Sequence, residues 1–348
     1  MRTIPIGPEL LAGAVDSVAA RGALWPLRVP ARDVPLLDPS GKLYRQVHVP
    51  AGVRVRVRTD TADLALVVAP SEHDRTFDLV IAGELVQSLL LPAGQERVAF
   101  QATNRQADPV VAEIYLPVKS EGDTGLIALE VDEQASAQPA PDDRPRWVAY
   151  GSSITQCAAA HSPARTWPAI VARQANLNLT CLGYGGACNL EPVIAMAIRD
   201  LPADFISLKL GINVHNNKTL NAISYPPAVH GLVRTIRQRH AHVPIALISP
   251  IISPPRETKP NAVGVSIGDF RQMTRRAAIA LNERGDTNLF YFDGRDLLGE
   301  DDASMLPDNL HPSPDGYELI GRRFGAGVLS RIHLPAQRAP SPAPAAQG

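Results

Sequence analysis

The sequence predicts an all-β sandwich or jelly roll followed by an α/β domain, a parallel sheet with helices on both faces. Three observations carry that expectation. Short strand-like runs separated by turn residues fill the first part of the chain. Strands alternating with helix-period segments fill the second. A Pro-rich, polar stretch lies between them. At 348 residues the chain suits two domains of ordinary size.

In the first part, "VRVRVRT" (Val53 to Thr59) alternates apolar and charged residues with period two, the mark of a half-buried strand. "ADLALVVAP", "FDLVIAGELVQSLLLP", "ERVAFQA", "VVAEIYLPV" and "GLIALEVDE" follow at short intervals. "ELVQSLLLP" is helix-like by composition, but its neighbours favour a strand. These runs place an N-terminal β-sandwich domain over residues 1–134. "EQASAQPAPDDRPR" marks a boundary, with a linker over 135–145.

From residue 146 the period changes. "RWVAYGSS" reads as a buried strand, and "SPARTWPAIVARQAN" as a helix opened by Ser and Pro. "LNLTCLGYGG" is the next strand, "EPVIAMAIRDLP" a helix and "ADFISLKLGIN" a strand. A long helix spans Pro227 to His240, followed by the strand "VPIALISPI". The helix "IGDFRQMTRRAAIALNERG" stops at Gly285, "TNLFYFDGRDLL" is the last strand and "SPDGYELIGRRFGAGVLSRI" closes the domain, which runs over 146–333. The low-complexity tail over 334–348 is expected to be disordered.

Bulk properties exclude several function classes. Lys and Arg number 34 and Asp and Glu 35, with no basic block, so no nucleic-acid partner is expected. No apolar run approaches the roughly 18–20 residues of a membrane span. Glu9 and Asp16 interrupt the apolar N-terminus, which argues against a signal peptide and for a cytoplasmic protein. Three cysteines, Cys157, Cys181 and Cys188, do not suggest a disulfide framework. The "HAH" at His240 to His242 falls at a helix C-terminus, where a cationic histidine complements the dipole, so no metal is expected there.

Ligands in an open parallel sheet bind beyond the carboxyl ends of the strands. The strand ends here carry Gly151-Ser152-Ser153, Gly185-Gly186 and Gly211-Ile212-Asn213, and Asp308 stands three residues before His311 ahead of the closing helix. These are the parts of nucleophilic acyl transfer. A serine hydroxyl needs an adjacent base, histidine is suited to that task, and a carboxylate fixes the imidazole. Backbone N–H groups and an amide can hold the oxyanion.

"GSSIT", "GYGG", "LGIN" and "DNLH" resemble, in order, the four sequence blocks of the SGNH, or GDSL-type, serine hydrolase superfamily, across Arg146 to about Ile332. The resemblance implies a flavodoxin-like sheet and a serine esterase working through an acyl-enzyme, with no metal or nucleotide cofactor and a small acyl ester as substrate. It makes Ser153 the nucleophile, His311 the base and Asp308 its partner. Ser153 N–H, Gly186 N–H and the Asn213 side chain become the oxyanion hole. Two positions depart from the family pattern: Ser152 stands where the first block has Asp, and Val214 where an Asp often follows the block's Asn.

Ser152, His161 and His215 are further candidates for the pocket, and Cys157 reads as buried filler. The sandwich-first order resembles a two-domain bacterial subfamily that includes an acyltransferase. An O-acyltransferase using an acyl-CoA donor and a natural-product or sugar hydroxyl is therefore the alternative. An alternative of another class is a non-catalytic carbohydrate-binding protein. The sandwich offers few aromatic residues as a sugar platform (Tyr44, Phe77, Phe100 and Tyr115), so its expected role is to wall the site.

Overall fold

A computed structural model describes residues 1–101, 108–119 and 124–334. The tail expected to be disordered lies, from residue 335 on, outside the described residues.

The N-terminal part is built from two antiparallel sheets. One has the order Asp16–Ala20, Ala23–Leu27, Leu126–Val131, Asp63–Val68, Arg97–Gln101, with Arg2–Pro5 also paired to Leu126–Val131. The other has the order Ala137–Pro139, Arg54–Thr59, Val110–Tyr115, Arg75–Ile81, Glu84–Leu91, with Leu11–Ala12 paired to Arg54–Thr59. Period-two patterning explains their packing. Val53, Val55 and Val57 point into a core shared with Leu64, Leu66, Phe77, Leu79, Ile114 and Leu129. "ELVQSLLL" is a strand, because its edge pairs with Arg75–Ile81.

Two features of this half were not expected. A short helix, Lys42–His48, interrupts it. The segment expected to be a linker is also built into the fold: Ala137–Pro139 adds to Arg54–Thr59 as a strand. Asp142 and Arg144 enter an ion cluster with Arg54, Arg56 and Glu113. Arg54 belongs to the face of "VRVRVRT" expected to be solvated, yet it is 1% exposed. Its guanidinium packs on the second half, donating to Leu179 O (2.9 Å) and to Asn178 Oδ1 (3.2 Å).

The second half is a five-stranded, all-parallel sheet in the order Asn178–Gly183, Arg146–Gly151, Phe205–Lys209, Ile245–Ile248, Leu289–Phe292. This is the flavodoxin-like arrangement, in which the strand order reverses beside the first strand. Helices cover both faces, so the strands are mostly apolar on both. Val148 and Tyr150 face one core, against the helices Pro192–Asp200, Tyr225–Arg237 and Ile267–Asn282. Trp147 and Ala149 face the other, against Trp167–Gln174 and Pro314–Arg323. There the rings of Trp147, Trp167 and Phe324 meet at centroid distances of 4.9–5.8 Å. Among the described residues no helix is long and apolar enough to cross a membrane.

The two halves are hydrogen-bonded to each other next to the strand ends. Buried Arg28, just past the Ala23–Leu27 strand, donates to Cys181 O and Gly183 O of the neighbouring parallel strand and to Gln46 O of the short helix. Tyr184 O–H donates back to Arg28 O. Asp78 accepts from Ser162 Oγ and Ala164 N, each at 2.6 Å.

Candidate active site

The first parallel strand ends at Gly151, where a Cβ would lie 2.2 Å from Thr155 Oγ1, so only glycine fits. Ser152 is extended and caps the helical turn Ser153–Gln156, its Oγ accepting from Ile154 N at 3.2 Å. Cys157 ends the turn in the left-handed region at φ 62°. This geometry orients the two serines oppositely. Ser152 is 1% exposed and satisfied within the turn, while Ser153 faces the cavity.

The closing segment reaches Ser153 from the far end of the sheet. Ser153 Oγ lies 2.9 Å from His311 Nε2, and His311 Nδ1 lies 2.6 Å from Asp308 Oδ2. Asp308 Oδ1 accepts from the backbone N–H groups of Leu310 (3.0 Å) and His311 (2.6 Å). Burial opposes its ionisation, but these bonds and the one from the imidazole outweigh it and hold the carboxyl below its usual range. Between them, Asn309 takes a left-handed conformation, and its carbonyl accepts from Ser253 Oγ and Arg256 Nη1. The i, i+3 spacing of Asp308 and His311 thus sits on a pinned loop.

Gly186 and Asn213 approach from the two neighbouring strand ends. Gly186 adopts φ 69°, a region that favours glycine. Gly185 N–H donates to Gln156 Oε1 (2.7 Å), and Gln156 Nε2 donates to Val118 O of the sandwich (3.0 Å). Asn213 Oδ1 accepts from Cys188 N at 3.1 Å, which leaves Nδ2 for the cavity that Asn213 lines. The backbone N–H groups of Ser153 and Gly186 have no hydrogen-bond partner among the described residues. Asn213 does not end a strand as expected; it lies in the short helix Ile212–Asn217 that follows Gly211.

Ser153, Gly186, Asn213 and His311 line one cavity of about 620 Å³. It lies where the strand order reverses, between the ends of the first strand and its neighbours. The other expected pocket residues do not line it. Ser152 is the cap described above. His161 pairs with Asp315 at 3.0 Å on the surface, which ties its loop to the closing helix. His215 turns into the protein, its ring edge-on to Phe270 at 6.1 Å and its Nδ1 3.1 Å from Asn216 Oδ1; burial lowers its pKa. Cys157 is fully buried, which pushes its thiol pKa well up.

The cavity also has a wall the sequence did not reveal. Lys42, Arg45 and Gln46 of the short helix line it, with Gln156, Asn216 and Asn217. The i, i+3, i+4 spacing of "KLYRQ" puts the first three on one helix face. Which surface that face meets depends on how the halves dock. Of the four sandwich aromatics considered as a sugar platform, Phe77, Phe100 and Tyr115 are buried, and Tyr44 packs on His48. Among the described residues no cluster of three or more His, Cys, Asp or Glu could hold a metal ion.

A profile of the GDSL-like lipase/acylhydrolase family matches residues 145–321, about half of the chain and the whole of the parallel sheet. The chain belongs to the GDSL-like lipase/acylhydrolase family. Comparison with curated proteins finds no match. Among solved structures, this GDSL-like protein is similar to the salicylyl-acyltransferase SsfX3 from a tetracycline biosynthetic pathway. The two are 28% identical with a TM-score of 0.86, over 94% of this chain and 97% of that one. A GDSL-like lipase from Bacteroides ovatus shares the fold at 20% identity and a TM-score of 0.73, over 96% and 99% of the two chains. So does the acetyl xylan esterase Est2A of the rumen bacterium Butyrivibrio proteoclasticus, at 13% identity and a TM-score of 0.61, over 94% and 98%. The likeness to these three covers both halves of the GDSL-like chain.

Proposed function

We propose that the protein is a serine-dependent acyl esterase. The observation that carries this reading is the unbroken hydrogen-bonded series from Ser153 Oγ through the His311 ring to Asp308, opening on a cavity beside Gly186 and Asn213. Ser153 Oγ attacks the ester carbonyl while His311 Nε2 takes its proton. Negative charge develops on the carbonyl oxygen, and the N–H groups of Ser153 and Gly186 and the Asn213 amide stabilise it. Asp308 holds the imidazole in the tautomer with its proton on Nδ1 and stabilises the imidazolium. The tetrahedral intermediate collapses, His311 protonates the leaving alkoxide, and an acyl ester remains on Ser153. Water, deprotonated by His311, then releases the acid.

The test is hydrolysis of a short nitrophenyl ester. Ser153→Ala is expected to lower kcat by at least about 10⁴-fold. Ser152→Ala is expected to keep much of the activity, while losing about 0.5–2 kcal/mol of stability with the cap. The reverse result would move the nucleophile to Ser152. A fluorophosphonate that fails to label Ser153 in the folded protein would support the non-catalytic reading instead.

A second reading, an O-acyltransferase, is favoured by the full-length likeness to SsfX3. It shares the acyl-enzyme and differs only in the attacking group, an alcohol in place of water. Transfer from an acyl-CoA to an added alcohol that outruns hydrolysis would select it.

A further inference from the structure

The cavity over Ser153 has an unbalanced charge. Its lining includes two cations, Lys42 and Arg45, five amides and no carboxylate. Both cations are exposed and stand at i and i+3 on the Lys42–His48 helix, where like charges repel. Among the described residues neither is seen in an ion pair, and the Arg45 guanidinium makes a single hydrogen bond, from Nη1 to the backbone carbonyl Ser40 O at 3.0 Å. The Lys42 side chain lies over the oxyanion loop: a Cβ placed on Gly186 would meet Lys42 Cδ at 3.2 Å and Nζ at 3.4 Å. The nearest acid of the reacting group, Asp308, is turned to His311 and to backbone N–H groups.

The Lys42–His48 helix carries no acid on any face, so nothing of its own offsets the charge it turns to the cavity. A cleft walled by one sign of charge concentrates ligands of the other sign.

We propose that Lys42 and Arg45 are specificity residues that bind an anionic group of the substrate, a carboxylate or a phosphate, while its acyl carbonyl sits at Ser153. This rests on the reading of Ser153 as nucleophile. The anion has two possible sources: a carboxylate on the ester itself, or the phosphates of a thioester carrier.

Two arms separate the sources. The first compares 4-nitrophenyl hemisuccinate with 4-nitrophenyl butyrate, which share a leaving group and differ by a terminal carboxylate. The ratio of their kcat/KM values is expected to fall at least about tenfold in Lys42→Gln/Arg45→Gln, mainly through KM for the hemisuccinate. It is expected to shrink in wild type at high salt, where the charges are screened. Lys42→Glu/Arg45→Glu is expected to reverse the preference. The second arm measures coenzyme A binding by calorimetry, expected to weaken at least about tenfold in the same variants if phosphate is the source. A response in either arm supports the proposal and names the source. A ratio and a coenzyme A affinity both within twofold of wild type in the double variants would overturn it. Failure of the catalytic reading looks different: Ser153→Ala would hydrolyse both esters like wild type, while coenzyme A binding would still report on Lys42 and Arg45.

Discussion

At the scale of single residues, Ser152 shows how a departure from the family pattern is accommodated. Ser and Asp are both strong helix N-caps, because each offers a side-chain oxygen to the N–H groups of the first turn. Ser152 performs that task for Ile154 N, so what is lost relative to Asp is a charge, not the cap. Asn213 invites a sharper test. Its Oδ1 is committed to Cys188 N, so only Nδ2 can serve an oxyanion. Asn213→Ala is expected to lower kcat for a nitrophenyl ester by about 10²–10³. Asn213→Asp, which keeps the acceptor for Cys188 N but puts an oxygen where the donor was, is expected to lose at least as much. An unchanged kcat in Asn213→Ala would remove the residue from the hole. That Ser153, Gly186, Asn213, Asp308 and His311 would come together was legible because each carries a distinctive residue type just past a strand end or in one short loop. His161 and His215 were not placed correctly, since a side chain's direction depends on neighbours distant in sequence: Asp315 for one, Phe270 for the other.

At the scale of elements, the helical turn Ser153–Gln156 does more than present the proposed nucleophile. Its last residue joins three parts: the amide oxygen of Gln156 holds Gly185 N–H, and its nitrogen holds Val118 O. The orientation of the Gly185–Gly186 loop therefore depends on the same turn that carries Ser153. Gln156→Leu, which keeps most of the volume and removes both bonds, is expected to lower kcat about tenfold or more. It is also expected to cost about 1–3 kcal/mol of stability, because buried backbone groups lose their partners. Kinetics together with thermal unfolding check both, and wild-type kcat in a destabilised variant would separate the brace from the chemistry. The alternation of strands and helices was readable from residue 146 onward, since long amphipathic periods are strong signals. The Lys42–His48 helix was not, because seven residues give barely two turns.

At the scale of the whole molecule, the halves meet through polar contacts that sequence pattern alone does not expose. Period two in "VRVRVRT" correctly marked a strand, but Arg54, at the start of its charged face, is buried against the second half, while Arg58 at the far end is open to water. Asp142, 5% exposed, sits among Arg54, Arg56 and Arg144. Burial works against its charge, yet the hydrogen bonds and positive charge of the arginines hold its pKa below the ordinary value of 3.8. A depressed carboxylate stabilises the fold above its unfolded pKa and stops doing so as pH falls through the folded one. Asp142→Asn is accordingly expected to cost about 3 kcal/mol at pH 7 and progressively less below about pH 4. Urea unfolding at pH 7 and pH 3 checks this; an equal difference at both would show that charge is not what the cluster contributes.

The Lys42–His48 helix divides labour along the chain. The groups proposed for bond making belong to the parallel-sheet half, while one wall of the cavity they share comes from the other. Substitutions on that helix can change which molecules are admitted without altering a reacting atom. A lineage can thus explore new substrates at little risk to the reaction itself. The same arrangement penalises recombination: a parallel-sheet domain moved to a different N-terminal partner would keep its serine, histidine and aspartate but face a foreign wall.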